Sequence, residues 1–136
     1  MDEKISLYCD GGARGNPGPA AIGVVVRDQG HKLIARISQK IGRATNNVAE
    51  YSAVLAGLEW VSENAKNADV EFFLDSELVV RQLKGIYKIK DLKLKELFSQ
   101  VREKIMALGH EPAFHHILRS KNSEADKLVN QALDEK

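Results

Sequence analysis

The chain has 136 residues, of which 43% are hydrophobic and 29% are charged, and its net charge is +1. This balance is typical of one globular domain and excludes a disordered or fibrous chain, and the single cysteine, Cys9, excludes an internal disulfide framework. No apolar run approaches the roughly 20 residues that cross a bilayer, and the N-terminal apolar run is too short for a signal peptide. We therefore expect one domain over residues 1–136 that is monomeric, cytoplasmic and not associated with a membrane.

The first third of the chain predicts three antiparallel strands. Apolar and polar residues alternate over KISLYCDGG (4–12) until two glycines stop the pattern. A second strand is predicted over AAIGVVVRD (20–28). The dipeptide Gln29-Gly30 is typical of a tight turn, which would lead into a hairpin partner over HKLIARISQKIG (31–42).

After residue 45 the period of the apolar residues becomes helical. The segment NNVAEYSAVLAGLEWVSENAK (46–66) has apolar residues at helical spacing and a second face of small apolar residues. A helix this apolar should be buried between the sheet and another helix. The order βββαβααβα then predicts an α/β fold with a mixed sheet. The later strands are predicted at 69–76 and 112–120, and the later helices at 77–85, 91–109 and 123–133.

Four acidic residues stand at positions that an α/β fold brings together. Asp10 and Asp75 end predicted strands, and Glu50 and Asp126 lie in the first turns of predicted helices. Strand ends and the starts of the following helices meet at one edge of such a sheet, where binding sites usually form. Both helical acids border the apolar stripes that face the sheet, so we expect the four carboxylates to converge.

Each acid also has a purely structural explanation, which the sequence leaves open. An aspartate before two glycines is typical of a turn, and Asp75-Ser76 could supply the N-cap of the predicted helix that follows. The spacings Asn47-x-x-Glu50 and Ser123-x-x-Asp126 resemble capping boxes, in which the acid stabilises the start of a helix.

Converging carboxylates would need cations. Four of them would repel one another strongly, and divalent ions that prefer oxygen ligands, such as Mg²⁺ or Mn²⁺, would cancel the charge. Two such ions are the usual device for in-line displacement at phosphorus. The sequence has no His/Cys cluster with zinc spacing and no G-x-S-x-G nucleophile. The acids therefore predict a site for two hard divalent ions such as Mg²⁺ or Mn²⁺.

A glycine-rich segment, GGARGNPG (11–18), follows the first acid. It is not a P-loop, because it lacks the G-x-x-x-x-G-K-[ST] pattern, and it is not a dinucleotide-binding turn, because a strand follows it. Its glycines would let the segment approach a nucleic-acid backbone closely, with metal ions standing between the phosphates and the acids.

Four segments in chain order resemble ribonuclease H of type 1: DGGARGNPGPAAIGVVV, TNNVAEYSAVLAGLE, DSELVVRQLKG and RSKNSEADKLVNQAL. The resemblance spans essentially the whole chain. It implies a five-stranded mixed sheet, with strands 1–3 antiparallel, strands 4 and 5 parallel to strand 1, and helices on both faces. It also implies Mg²⁺-dependent cleavage of the RNA strand of an RNA/DNA hybrid, which leaves 5′-phosphate and 3′-hydroxyl ends.

The resemblance implies a role for each matching residue. Asp10, Glu50, Asp75 and Asp126 correspond to the acids that bind two metal ions and catalyse the reaction. The residues implied for substrate contact lie in the glycine-rich segment, at the start of the long helix and at two later positions. They are Gly11, Gly12, Ala13, Arg14, Gly15, Asn16, Thr45, Asn46, Asn47, Glu77 and Arg119.

The chain departs from the family pattern at three places. Its loop before the last acid, LRSKNSE, lacks the histidine that some members carry, and Arg119 is the nearest candidate to replace it. Glu77 stands where many members have glutamine. The basic insertion of some members is missing, and we expect the lysines of the segment KGIYKIKDLKLK (84–95) to provide a reduced contact with phosphates.

Two other functions stay open from the sequence. One is a catalytically silent nucleic-acid-binding module of the same fold, although such a module would be expected to have lost at least one of the acids. The other is a related nuclease that also cuts double-stranded RNA. The absence of the loop histidine is compatible with this added activity.

Overall fold

The computed structural model describes residues 3–135, so Met1, Asp2 and Lys136 of the predicted domain lie outside the described residues. Within that range the order of the elements is the predicted one, and no helix is both long and apolar enough to span a bilayer. The strands are β1 (Lys4–Ala13), β2 (Gly18–Arg27), β3 (Leu33–Ala44), β4 (Asp69–Leu74) and β5 (Ala113–His116). The helices are α1 (Asn46–Asn64), α2 (Glu77–Leu83), α3 (Leu92–Leu108) and α4 (Ser123–Asp134).

The described strands form one mixed sheet in the order β3-β2-β1-β4-β5. The first three strands are antiparallel, and β4 and β5 run parallel to β1, which confirms the predicted fold class. The pairing of β1 with β4 ends at Cys9, whereas its pairing with β2 continues to Ala13. Beyond Cys9 the β4 side of β1 is therefore open to the residues that follow β4.

The long helix α1 lies between the sheet and α3, as its apolar circumference predicts. Tyr51, Val54 and Leu58 are buried in the main core cluster. The helix approaches the sheet closely at Gly57, where a Cβ atom would lie 2.8 Å from Cε1 of Phe72. Full burial of each aliphatic side chain contributes roughly 1.5–3 kcal/mol, so this packing fixes the position of α1 on the sheet.

The last helix, α4, covers the opposite face of the sheet. Alternate residues of β2 separate the two faces: Val24 belongs to the α1 cluster, and Val25 packs with Ala125 of α4. Gly23 faces α4 as well, and a Cβ atom there would lie 2.3 Å from the carbonyl oxygen of Ala125. The glycine lets α4 lie directly on β2, which brings the first turn of the helix close to the centre of the sheet.

The tight turn predicted at Gln29-Gly30 is confirmed, because the His31 N–H donates to the Asp28 carbonyl oxygen at 3.0 Å across these two residues, but the hairpin connection is longer than predicted. The connection between β2 and β3 spans residues 28–32. The Asp28 carboxylate oxygen Oδ1 accepts the backbone N–H groups of both Gly30 and Lys32 at 2.9 Å. An aspartate that accepts from its own loop stabilises a wider connection, so β3 begins two residues later than predicted.

The last strand is much shorter than the predicted span 112–120. β5 pairs with β4 only as far as His116, because β4 itself ends at Leu74. The N–H of Ile117 makes one more hydrogen bond, to the carbonyl oxygen of Leu74 at 2.9 Å. Beyond that point β4 offers no further partner, and residues Arg119–Lys121 form a 3₁₀ turn instead.

Candidate active site

Asp10 and Asp75 lie at the edge of the sheet where β1 and β4 part. Cys9 and Leu74 form the last parallel pair, and each acid is the residue that follows. This is the arrangement predicted from the two strand ends. The expectation that Asp10 ends its strand is wrong, however, because β1 continues beside β2 to Ala13.

Glu50 reaches these acids because α1 packs directly against Gly11. A Cβ atom on Gly11 would lie 2.1 Å from the carbonyl carbon of Ala49, so this contact requires glycine. The N–H of Gly11 donates to Oε1 of Glu50 at 2.7 Å. The alternative that Glu50 belongs to a capping box is excluded, because the N-cap is Thr45, whose hydroxyl accepts the Val48 N–H at 3.2 Å. Glu50 instead reaches Gly11 of β1, the residue after Asp10.

Asp10, Glu50 and Asp75 form a compact carboxylate cluster. Each offers one oxygen, and these three oxygens lie within 4.8 Å of one another. Asp10 is 8% exposed and Glu50 4% exposed, and Asp75 is half-buried. The Oε2 atom of Glu50 is buried without a hydrogen-bond partner in the described structure. A set of oxygen ligands with an unpartnered carboxylate oxygen fits a hard divalent cation.

The electrostatics of the cluster also favour a cation. Burial raises the pKa of Asp10 from 3.8 to about 6; the interaction with the neighbouring Glu50 carboxyl opposes this rise, and the charges of Asp75 and Asp126 add to it. Burial, followed by the interaction with Asp10, raises the pKa of Glu50 well above its ordinary value. A bound cation would reverse both effects, because it stabilises the ionised form of each carboxyl group.

Asp126 faces the same cleft from the first turn of α4, although it is not part of the three-oxygen cluster. Its side chain is 34% exposed, and its Oδ1 lies 3.6 Å from Nη2 of Arg119. The alternative that Ser123 and Asp126 form a capping box is excluded, since the N-cap of α4 is Asn122 and no side chain makes a capping hydrogen bond there. All four predicted acids thus line one cleft, and three of them are within reach of a single ion.

The cleft has a volume of about 410 Å³. Asn16 and Thr45 lie instead on an adjoining cavity of about 540 Å³, which shares Asn46 and Asn47 with the cleft. Most of the residues predicted to contact substrate lie on the cleft wall itself. These are Gly11, Gly12, Ala13, Arg14, Asn46, Asn47 and Arg119.

Two residues predicted to contact substrate lie outside the walls of both cavities. Gly15 occupies the connection between β1 and β2, with a positive φ of 95°. Glu77 begins α2, where its carboxylate lies 3.5 Å from Arg81 and 3.9 Å from His116. These contacts direct the Glu77 side chain toward its own helix and β5.

Two asparagine side chains form hydrogen bonds between the glycine-rich segment and the start of α1. Oδ1 of Asn46 accepts the Ala13 N–H at 2.9 Å, and Oδ1 of Asn16 accepts the Asn46 N–H at 3.0 Å. With their carbonyl oxygens used inside the protein, both side chains keep NH₂ groups for a ligand. This part of the site therefore presents hydrogen-bond donors.

Comparison with known proteins decides the family. Residues 8–132 match the family described as reverse transcriptase-like. The structure of LC11-RNase H1, isolated from compost by a metagenomic approach, is 47% identical in sequence and superposes with a TM-score of 0.91, covering 98% of this chain and 97% of that one. This chain belongs to the type 1 ribonuclease H family. The same relative, solved in complex with an RNA/DNA hybrid, is 46% identical over 96% of both chains with a TM-score of 0.91.

The ribonuclease H domain described here also resembles parts of longer proteins. Ribonuclease HI of Halobacterium salinarum is 39% identical over 133 residues, which cover 97% of this chain and 65% of the relative. The bifunctional protein Rv2228c of Mycobacterium tuberculosis is 41% identical over 133 residues, which cover 96% of this chain but 36% of that protein. The chain thus spans about a third of the mycobacterial relative and less than two thirds of the halobacterial one.

Sequence reasoning missed three polar residues of this ribonuclease H site. Ser76 caps α2, which the sequence suggested, but it also lines the cleft, which the sequence did not suggest. Asn130 also lines it, and its Nδ2 donates to the Asp126 carbonyl at 3.1 Å; its position one helical turn after that acid could have revealed it. Asn122 is buried beside Asp75, and its place before α4 suggests only a helix cap.

Proposed function

We propose that this domain cuts the RNA strand of RNA/DNA hybrids by metal-dependent hydrolysis and leaves 5′-phosphate and 3′-hydroxyl ends. The observation that carries the proposal is the cluster of Asp10, Glu50 and Asp75 in a polar cleft, with Asp126 on the same wall. The family relationship supports it, as does the complex of LC11-RNase H1 with an RNA/DNA hybrid.

We infer that the acids hold two Mg²⁺ ions and that Mn²⁺ can replace them. The buried oxygens of Asp10 and Glu50 are oxygen ligands of the kind that hard ions prefer. When bound, such ions activate water and stabilise the charge on the leaving oxygen in displacement at phosphorus. The protein contributes a fixed ligand set: the Gly11 N–H holds one oxygen of Glu50 and leaves Oε2 for a cation.

We assign the choice of strand to the donors beside the cluster. Asn46 lies on the wall of the cleft and Asn16 on the adjoining cavity, and both present NH₂ groups. The minor groove of a hybrid offers base acceptors, and its RNA strand offers 2′-hydroxyl groups, which can accept such bonds. Asn47 lies beside Asn46 on both walls and extends this surface.

We assign Arg119 to the role that a loop histidine plays in some members of the family. The Arg119 side chain is 82% exposed, and its Nη2 lies 3.6 Å from Oδ1 of Asp126 on the cleft wall. A guanidinium group in this position can bind a phosphate through two parallel hydrogen bonds. It would help to bind the scissile phosphate or to release the product.

The test is a cleavage assay with matched substrates. Labelled RNA/DNA hybrid, double-stranded RNA and double-stranded DNA of one sequence are incubated with the protein in Mg²⁺, Mn²⁺ or EDTA. We expect cleavage of the hybrid's RNA strand in either metal and none in EDTA. Cleavage of double-stranded RNA as well would indicate the broader nuclease. Failure to cut the hybrid in either metal, with intact binding, would indicate the silent module and contradict the proposal.

We further propose that the domain acts as a monomer in the cytoplasm. One chain supplies all four acids and the asparagine donors, so the site needs no second copy. Light scattering after size-exclusion chromatography tests the monomer, and cell fractionation with an antibody against the chain tests the location. A dimer that dissociates only with loss of activity would contradict the first statement.

A further inference from the structure

Asn122 is a buried amide beside the carboxylate cluster, and the proposed function gives it no role. Its residue is 1% exposed and lies directly before α4. Its Nδ2 donates to the carbonyl oxygen of Cys9 at 2.8 Å and to Oδ2 of Asp75 at 3.1 Å. Both amide hydrogens therefore bind groups that are distant from Asn122 along the chain.

These two bonds form where the hydrogen bonding of the sheet stops. Cys9 and Leu74 are the last parallel pair of β1 and β4, so no further ladder bond fixes Asp75 relative to Asp10. Asn122 supplies the missing connection, because it links the carbonyl of the residue before Asp10 to the carboxylate of the residue after β4. The hydrogen bond from Asn122 holds Oδ2 of the half-buried Asp75.

The backbone of Asn122 extends the connection to α4. Its carbonyl oxygen accepts the Asp126 N–H at 3.1 Å, and its N–H donates to the Arg119 carbonyl at 3.0 Å. A single residue thus links the strand that carries Asp10, the side chain of Asp75 and the first turn that carries Asp126.

The bridge requires the chemistry of an amide. A side chain between a carbonyl oxygen and a carboxylate must supply two N–H donors and no negative charge. An aspartate at this position would place its own acceptor oxygens against the Cys9 carbonyl and the Asp75 carboxylate, which can only accept. It would also add negative charge to the cluster. The Oδ1 atom of Asn122 is buried without a partner in the described structure. Because an unpaired buried acceptor destabilises a fold, stability alone does not account for this residue.

We propose that Asn122 is a positioning residue, which holds the Asp75 carboxylate toward Asp10 and thereby sets the affinity of the cluster for divalent cations. The inference rests on the cation site of the proposed function but not on the choice of an RNA/DNA hybrid as substrate.

Calorimetric titration of Mn²⁺ into the free 136-residue chain tests the proposal. Asn122→Ala should bind the ion roughly 10- to 100-fold more weakly than the wild type, as is typical when a group that orients a metal ligand is removed. Asn64→Ala is the matched control, because Asn64 also donates to a backbone carbonyl, that of Trp60 at 2.9 Å, but at the exposed end of α1. It should bind like the wild type. Cleavage by Asn122→Ala should recover at high Mg²⁺, with KM for the hybrid unchanged.

A double-mutant cycle separates positioning from a general structural role. In an Asp75→Ala background the replacement of Asn122 should cost little further affinity, since the acceptor of the Asn122 bond has already been removed. Circular dichroism establishes that the variants are folded. Asn122→Ser keeps one donor and should show a smaller loss, which keeps the test available if the alanine variant does not fold.

Several outcomes would overturn the inference. One is a folded Asn122→Ala that binds Mn²⁺ like the wild type, even if it cuts poorly. Another is full additivity of Asn122→Ala with Asp75→Ala. A wild-type chain that binds Mn²⁺ in an Asn122-dependent way but does not cut the hybrid would instead contradict the proposed function and leave the inference standing.

Discussion

Gly11 is the residue that lets α1 bring Glu50 next to Asp10. We expect Gly11→Ala to lower the free energy of unfolding by about 1–3 kcal/mol or more, because its Cβ atom would lie 2.1 Å from the carbonyl carbon of Ala49 and the backbone would have to move. Cleavage should fall as well, since Glu50 would shift. Urea unfolding and the rate of hybrid cleavage measure the two effects.

The neighbouring residue provides the control for this prediction. A Cβ atom on Gly12 would lie 3.6 Å from Cγ1 of Val129, which is ordinary van der Waals contact. Gly12→Ala should therefore change the free energy of unfolding by less than about 1 kcal/mol. Equal destabilisation by the two substitutions would show that the close approach of α1 at Gly11 is not what matters.

Asp10 should make the stability of the cation-free protein depend on pH. Its pKa in the folded state, about 6, lies above the ordinary value of 3.8, so the folded protein holds this proton at higher pH than the unfolded chain. The proton on Asp10 stabilises the folded protein fully below about pH 4, and this stabilisation is lost as the pH rises through about 6. We expect Asp10→Asn in EDTA to be more stable than the wild type by roughly 1–3 kcal/mol at about pH 7.5 and equal to it near pH 4.

Thermal unfolding over this pH range measures the effect of Asp10→Asn. Addition of Mg²⁺ should stabilise the wild type at neutral pH and have little effect on the variant, because a cation relieves the same repulsion. A variant that is less stable than the wild type at every pH in EDTA would contradict the electrostatic account of the cluster.

At the residue scale, the sequence indicates which residues can take part in catalysis, but not which hydrogen bonds join residues that are distant along the chain. The four acids could be selected because their type and their places at strand ends and helix starts are visible in the chain. The bond from Asn122 to the carbonyl of Cys9 joins positions that are 113 residues apart, and no local pattern indicates it. For the same reason Asn46 was predicted to contact substrate, while its bond to the Ala13 N–H appears only in the structure.

At the scale of elements, periodicity predicts the helices and central strands well, because each buries a face of regular spacing. The predicted helix 46–66 is observed as Asn46–Asn64, and 91–109 as Leu92–Leu108. The errors fall where an element depends on its neighbour. β5 stops early because β4 stops, and β3 starts late because the Asp28 side chain closes a wider loop.

The close packing of α4 on β2 gives a prediction at this scale. Gly23→Ala would place a Cβ atom 2.3 Å from the Ala125 carbonyl oxygen, so the first turn of α4 must move away and carry Asp126 with it. We expect the free energy of unfolding to fall by about 1–3 kcal/mol and cleavage to require more Mg²⁺. Urea unfolding and a Mg²⁺ titration of the cleavage rate measure both.

Gly30→Ala is the matched substitution for Gly23→Ala. Gly30 is exposed in the loop between β2 and β3, and its nearest neighbour would be Oδ1 of Asp28 at 3.5 Å. It should leave both the stability and the Mg²⁺ requirement close to those of the wild type. If Gly23→Ala behaves in the same way, the position of α4 does not control the site.

At the scale of the whole molecule, the net charge is only +1, but the basic residues are concentrated in one segment. Between Lys84 and Lys104 seven basic residues stand against three acidic ones, and residues 84–88 are exposed. If this surface contacts phosphates, Lys88→Ala should weaken hybrid binding and reduce the slope of log affinity against log salt by about 1. Lys66→Ala, an exposed lysine beyond the far end of α1, should change neither. Equal salt slopes for both variants and the wild type would exclude the contact.

The central claim is that carboxylates distant in sequence act together as one cation site that cuts RNA paired with DNA. The most direct test is the cleavage rate of a defined RNA/DNA hybrid by folded Asp10→Asn at saturating Mg²⁺. We predict a loss of about 10³-fold or more relative to the wild type, which corresponds to at least about 4 kcal/mol of transition-state stabilisation. A folded Asp10→Asn that cuts the hybrid at the wild-type rate would contradict the claim.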